Sequence, residues 1–251
     1  MPFIVLACIA LLAGVGITAV GPGGVLSTVG LTVLTDLRPA EVAGTVMITN
    51  VATGIVGSLA FLRSGHLREP ATARTAATLL LAAVVGAPVG VRLNALLSRS
   101  AFSILLAGFV LIVAALVWYR HRGARRRAPG PASLSVGVLA VVGAAIAIAS
   151  GMFGVGGPLL AVPMLVALGS PLLQALAAAQ VQSIAISLVG GIGYASIGAV
   201  NWLLVLVIGA PQLCGALLGW RIARSVRADV LRWTMIVVLV ATAPALLLTV
   251  V

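Results

Sequence analysis

Two glycine clusters are the residues best suited to chemistry in this chain: Gly21-Pro22-Gly23-Gly24 and Gly154-Val155-Gly156-Gly157, each set between an apolar stretch and a second, shorter one. Glycine admits positive φ and lets a ligand approach the main chain closely. A helix that begins just after such a break directs unpaired N–H groups and the positive end of its dipole into it. Two such ends meeting inside a bilayer would bind an anion without a buried arginine; the plainer alternative is that the glycines only allow tight helix packing. Polar side chains follow each cluster. Thr45, Thr49 and Thr53 recur every four residues and share one helix face, with Asn50 beside them. Gln180, Ser183, Ser187 and Tyr194 follow a three-four spacing, with Gln182 adjacent. An amide or hydroxyl in hydrocarbon is costly without a partner, so both faces turn inward, the threonines as interhelical glue and the large amides as contacts to substrate or coupling ion. The expected binding residues are therefore Pro22, Gly23, Gly24, Thr45, Thr49, Asn50, Val155, Gly156, Gly157, Gln180, Gln182 and Ser183. Gln180 and Gln182 lie about 200° apart around a helix, so at most one of them should touch a ligand directly.

The elements that must position these residues follow from composition. Of 251 residues, 62% are hydrophobic and 8% charged, with a mean hydropathy of +1.26. Soluble domains carry roughly 25% charge, which excludes a soluble enzyme and leaves no room for a large extramembrane domain. The partner is the lipid bilayer. Fifteen basic residues, all arginine, face four acidic ones. They collect at segment ends, as topology signals do, so no nucleic-acid partner is expected. Cys8 and Cys214 sit inside apolar segments and read as packing residues. With only His66 and His121, both outside the apolar centres, neither a metal cluster nor a nucleophile with its base is visible. We expect no cofactor and no enzymatic activity. Among the carboxylates Asp36, Glu41, Glu69 and Asp229 none sits clearly at mid-membrane; Glu41 is the best candidate for a proton relay, against the simpler role of a charge at its own helix start.

The chain reads as an all-α polytopic membrane protein made of two homologous repeats, 1–128 and 129–251. Each has a glycine-broken helix with a short half-helix, 2–35 and 133–168, followed by three spanning helices: 39–62, 71–97 and 100–120, then 171–194, 200–224 and 229–251. Four ordered matches relate the halves. The glycine clusters correspond, as do Pro39 and Pro171, Gly65 and Gly198, and Gly90-Val91-Arg92 and Gly219-Trp220-Arg221. A continuous helix over 2–35 would reach about 51 Å at ~1.5 Å per residue, against a hydrocarbon core of ~30 Å. The segment must break, and the glycines are where it can. If both broken segments crossed, the arginines would divide eight against seven between the two faces. If each enters and leaves on one side, they divide twelve against three, the asymmetry of the positive-inside rule. The second reading makes the repeats inverted and puts both termini outside.

These residues resemble the TauE/SafE family of small membrane proteins, described as sulfite or organosulfonate exporters. The resemblance lies in Gly154-Val155-Gly156-Gly157-Pro158-Leu159-Leu160-Ala161-Val162-Pro163, in part in Gly21-Pro22-Gly23-Gly24-Val25-Leu26, in Gly198-Ala199-Val200-Asn201-Trp202, and in the two Gly-x-Arg helix ends. It covers nearly the whole chain. Where the family commonly has Thr-Ser early in the helix after each loop, this chain has Thr45-Val46 and Ala178-Ala179, and Gly30 stands where Pro163 stands in the second half. The resemblance implies a secondary transporter for a small inorganic or organic sulfur oxyanion in the cell membrane, working by alternating access, with protons as the coupling ion and a homo-oligomer as an open option. An anion channel of the same architecture is the nearest alternative, and a membrane enzyme or assembly factor the contrasting one.

Overall fold

The computed structural model describes residues 2–19, 21, 23–123 and 135–225, with isolated positions beyond. These residues form helices and no strand: α1 (Pro2–Ala19), α2 (Gly24–Leu34), α3 (Pro39–Arg63), α4 (Pro70–Asn94), α5 (Arg99–Gly123), α6 (Val136–Phe153), α7 (Pro158–Ala167), α8 (Leu172–Ser196) and α9 (Trp202–Ser225). Pro22, residues 124–134 with Arg125, Arg126 and Arg127 and, but for isolated positions, the helix expected over 229–251 lie outside the described residues. Helices α3, α4, α6, α8 and α9 are long and apolar enough to cross a membrane. The 25-residue helices reach about 37 Å at ~1.5 Å per residue. Proline opens both α3 and α4, where its missing N–H costs nothing. The Glu41 carboxylate accepts the Arg38 backbone N–H at 2.9 Å and pairs with its guanidinium at 3.1 Å. It is engaged at the helix start, not aimed at the membrane centre.

Both broken segments fold back on themselves. After α1 the chain turns at Gly21 with φ 114°, and α6 is closed by Gly154 at φ 72°, whose N–H returns to the Ser150 carbonyl at 2.8 Å. Only glycine holds these φ values without strain. Gly23, just before α2, lies against Ala13 to Ile17 of α1, while Gly30, farther along α2, lies against Ile9 and Leu6. The half-helix therefore runs antiparallel to α1. Leu139 near the start of α6 shares a buried cluster with Leu165 near the end of α7, as Leu6 does with Leu31.

Packing then exchanges elements between the halves. α1 lies parallel to α9, with Gly215 on Leu11 and Gly219 on Val15 and Thr18. In the same way α6 lies parallel to α4, with Gly86 on Ala147 and Gly90 on Ile148 and Met152. Each pair is a small-xxx-small contact, Gly86/Gly90 and Gly215/Gly219, which lets backbones approach closely. α3 and α8 cross antiparallel at the centre, Gly44 on Tyr194, Gly54 on Ile184 and Gly57 on Gln180. The turns 36–40, 94–99 and 197–199 share one end of the bundle around a cavity of about 570 Å3, where Arg99 pairs with Asp36 at 3.2 Å. At the other end Gln174 donates to Glu69. Cys8 and Cys214, expected among packing residues, are both on the outer surface; an apolar helix facing lipid exposes such positions as readily as it buries them.

Candidate functional site

The two glycine loops meet. A Cβ on Gly24 would stand 2.6 Å from the Val155 carbonyl oxygen, and one on Gly21 would stand 3.1 Å from that of Pro158. Nothing larger than glycine fits this apposition. Gly21, Gly23, Gly24, Val155, Gly156 and Gly157 are all buried. The residues at the heads of α2 and α7, Gly23 and Gly157, carry no side-chain cap, and Pro158 removes one N–H from the first turn of α7. A helix start leaves its first N–H groups unpaired within the helix, so both starts present donors to the loops.

The opposite polarity is treated differently. α1 and α6 end at the same loops, and their last carbonyls would present a negative end there. Side chains, all but Ser150 from other helices, take carbonyls at these breaks. Gln180 Nε2 donates to Ile17 O at 3.0 Å, Asn94 Nδ2 to Met152 O at 2.6 Å, Tyr194 Oη to Gly151 O at 2.8 Å, and Ser150 Oγ to Gly156 O at 3.1 Å. Asn50 Nδ2 and Thr28 Oγ1 both face Gly154 O, at 3.4 and 3.5 Å. Several carbonyls at the break are thus taken by side-chain donors, while the buried Gln180 Oε1 and Asn94 Oδ1 have no partner.

Asn50 and Ser183 flank Gly156. The Asn50 Nδ2 lies 3.3 Å, and the Ser183 Oγ 3.4 Å, from where a Cβ on Gly156 would be. Gly156 itself holds φ 68°. Gly157 packs on the Ser183 backbone N–H, its Cβ position 3.2 Å away. The structure thus brings together Gly23, Gly24, Asn50, Val155, Gly156, Gly157 and Ser183 of the expected site. Gln180 reaches the end of α1 at Ile17 O, and Thr45, Thr49 and Gln182 are placed apart. The Thr45 hydroxyl accepts the Asn201 N–H at 3.0 Å, and Asn201 in turn caps α9 through Leu204 N at 3.1 Å. Thr49 returns its hydroxyl to Val46 O at 2.8 Å. Gln182 donates to Gly143 O of α6 at 3.0 Å, on the side of α8 away from the Gln180 contact with α1. Pro22 lies outside the described residues.

Gln212 is the residue that spacing did not single out. It is fully buried on α9, donates to Asn50 Oδ1 at 2.7 Å and accepts from Ser27 Oγ of α2 at 2.8 Å. A lone amide in an apolar helix, directly after Pro211, was the available signal. Thr28 and Asn94 carried weaker ones, since single polar residues in membrane helices commonly serve packing.

Comparison with known proteins agrees with this architecture. The family model described as "Sulfite exporter TauE/SafE" matches residues 6–246. No curated protein and no solved structure matches the chain. The matched span takes in both glycine loops, every helix that lines them and the paired α1–α9 and α4–α6 contacts. With its two glycine breaks and its long apolar helices, this multi-pass membrane protein belongs to the TauE/SafE sulfite exporter family, whose members are transporters.

Proposed function

We propose that this chain is a secondary transporter that moves a small sulfur oxyanion, sulfite or an organosulfonate, across the cytoplasmic membrane by alternating access, holding it between the two glycine loops. The observation that carries the proposal is the arrangement at the breaks: carbonyls capped from neighbouring helices, helix starts without side-chain caps, and Asn50 and Ser183 standing over Gly156. Backbone donors and hydroxyls suit a sulfonate or sulfite oxygen, which accepts hydrogen bonds in several directions and carries charge that the helix dipoles stabilise. Protons are the expected coupling ion. The test is flux into proteoliposomes of labelled sulfite and methanesulfonate. Uptake should saturate, respond to an imposed pH gradient and be competed by other sulfur oxyanions but not by a neutral sulfone of matched size. Linear flux indifferent to the gradient would make the protein a channel.

The same proposal takes the repeats as inverted, with both termini outside. Its support is the cavity shared by the turns at 36–40, 94–99 and 197–199. If every broken segment crossed the bilayer, 197–199 would lie at the end opposite 36–40; if each returns to its own side, all three coincide. The antiparallel α1 and α2 supply that return. Because Cys8 and Cys214 are exposed, both must be replaced before reporter cysteines are placed at Gly123 and Ser196. The two reporters should react from opposite sides of the membrane, Gly123 from the cytoplasm. Reaction of both from one side would exclude the inverted arrangement.

A further inference from the structure

The polarity of the hydrogen-bond chain through Asn50 is decided at one point. Gly154 O can only accept, so the part of the Asn50 amide facing it, at 3.4 Å, must be Nδ2. Oδ1 then faces Gln212, which must donate with Nε2 at 2.7 Å, and Gln212 Oε1 must accept the one hydroxyl proton of Ser27 at 2.8 Å. All four groups come from different elements: α2, α9, α3 and the second glycine loop. Asn50, Gln212 and Ser27 are buried, at 2%, 0% and 3% exposure, so no water competes for these positions. Every N–H and O–H in the chain is directed one way, from Ser27 toward the loop.

We infer that Gln212 is a positioning residue that sets the charge preference of the anion site, by locking the Asn50 amide with its donor end over Gly156. The inference rests on the anion-site reading above. A free asparagine side chain can turn its amide over and present Oδ1 instead, which repels an anion and suits a cation or a hydroxyl donor. Gln212 opposes that turn: with Asn50 turned over, Oδ1 would face Gly154 O, and Nδ2 would face Gln212 Nε2 unless Gln212 and Ser27 turned over as well. Nδ2 carries two hydrogens, of which Gly154 O takes one. The other is the donor left for the substrate, beside Ser183 Oγ.

The experiment measures equilibrium binding of methanesulfonate, which stays ionised from pH 5 to 9.5, to purified wild-type protein and to Gln212→Met and Gln212→Glu, with melting temperatures recorded alongside. Gln212→Met keeps the side-chain length but cannot donate, and should weaken affinity about 10-fold or more, the cost of a buried donor no longer held in place. Gln212→Glu should bind nearly as wild type while the introduced carboxyl is protonated, since its O–H can still donate to Asn50. Affinity should then fall as rising pH ionises it, because two acceptors then face one another and the Asn50 amide turns over. Wild-type affinity should show no such step. Wild-type affinity in Gln212→Met, or a Gln212→Glu profile parallel to wild type with Gln212→Met weakened only in proportion to its melting temperature, overturns the role of Gln212. Absence of methanesulfonate binding in the wild type overturns the anion-site reading and this inference with it.

Discussion

Gly156→Ala should abolish measurable anion binding while leaving a folded, membrane-inserted protein. The added methyl would stand 3.3 Å from Asn50 Nδ2 and 3.4 Å from Ser183 Oγ, contacts that neighbouring side chains can absorb by small shifts. Its φ of 68° costs an alanine about 1–2 kcal/mol, a modest loss for a protein of this size. The methyl nevertheless occupies the volume between the two donors proposed to hold the substrate. Losing two hydrogen bonds to a charged group, each worth about 1.5–3 kcal/mol, amounts to a fall in affinity of roughly 100-fold or more at ~1.4 kcal/mol per decade. Gln182→Ala is the matched control: its amide serves the Gly143 carbonyl of α6, so melting temperature should drop and affinity should hold. Isothermal titration with methanesulfonate, paired with thermal unfolding in detergent, separates the two. Undiminished binding in Gly156→Ala would reduce the loop glycines to packing residues.

Gly90→Ala and Gly215→Ala should damage the fold itself, at the close-packed contacts of α4 with α6 and of α1 with α9. A Cβ at Gly90 would meet the Ile148 carbonyl oxygen and stand 2.7 Å from Met152 N; one at Gly215 would meet the Leu11 carbonyl oxygen and stand 3.0 Å from Val15 N. These are backbone atoms, which cannot rotate away as a side chain can. The helix pair must separate, losing contacts along α4–α6 or α1–α9, at the upper end of overpacking costs, about 3 kcal/mol or more. The expected melting temperature falls by roughly 10 °C, and the two variants should be affected alike because both meet backbone atoms of a paired helix. Gly108→Ala on α5, where a Cβ meets nothing within 4 Å, should be neutral or slightly stabilising, since alanine exceeds glycine in helix propensity by about 1 kcal/mol. Equal stability of Gly108→Ala and Gly215→Ala would remove the close-packed helix pairs as a source of stability.

The amino-acid sequence by itself determined the helices and their interruptions, because both are local. Runs of apolar residues of spanning length leave the backbone no alternative in lipid but to bond within each helix, and Gly21 and Gly154 at positive φ supply breaks that no neighbouring residue type could. The match between the two glycine clusters was likewise readable, being a matter of order along the chain. What only the tertiary structure decided is which polar side chains converge. Asn50, Gln180 and Gln182 look equivalent in sequence, yet Asn50 reaches a carbonyl 104 residues away, Gln180 one 163 residues away, and Gln182 turns to α6. Gln212 enters only through partners 162 and 185 residues distant. Helical spacing fixes the face a residue occupies but not what faces it. In a bundle whose helices have protein on several sides, a buried amide takes whichever unpaired group the packing brings near. Here the packing of each broken helix against the other half of the chain made that choice.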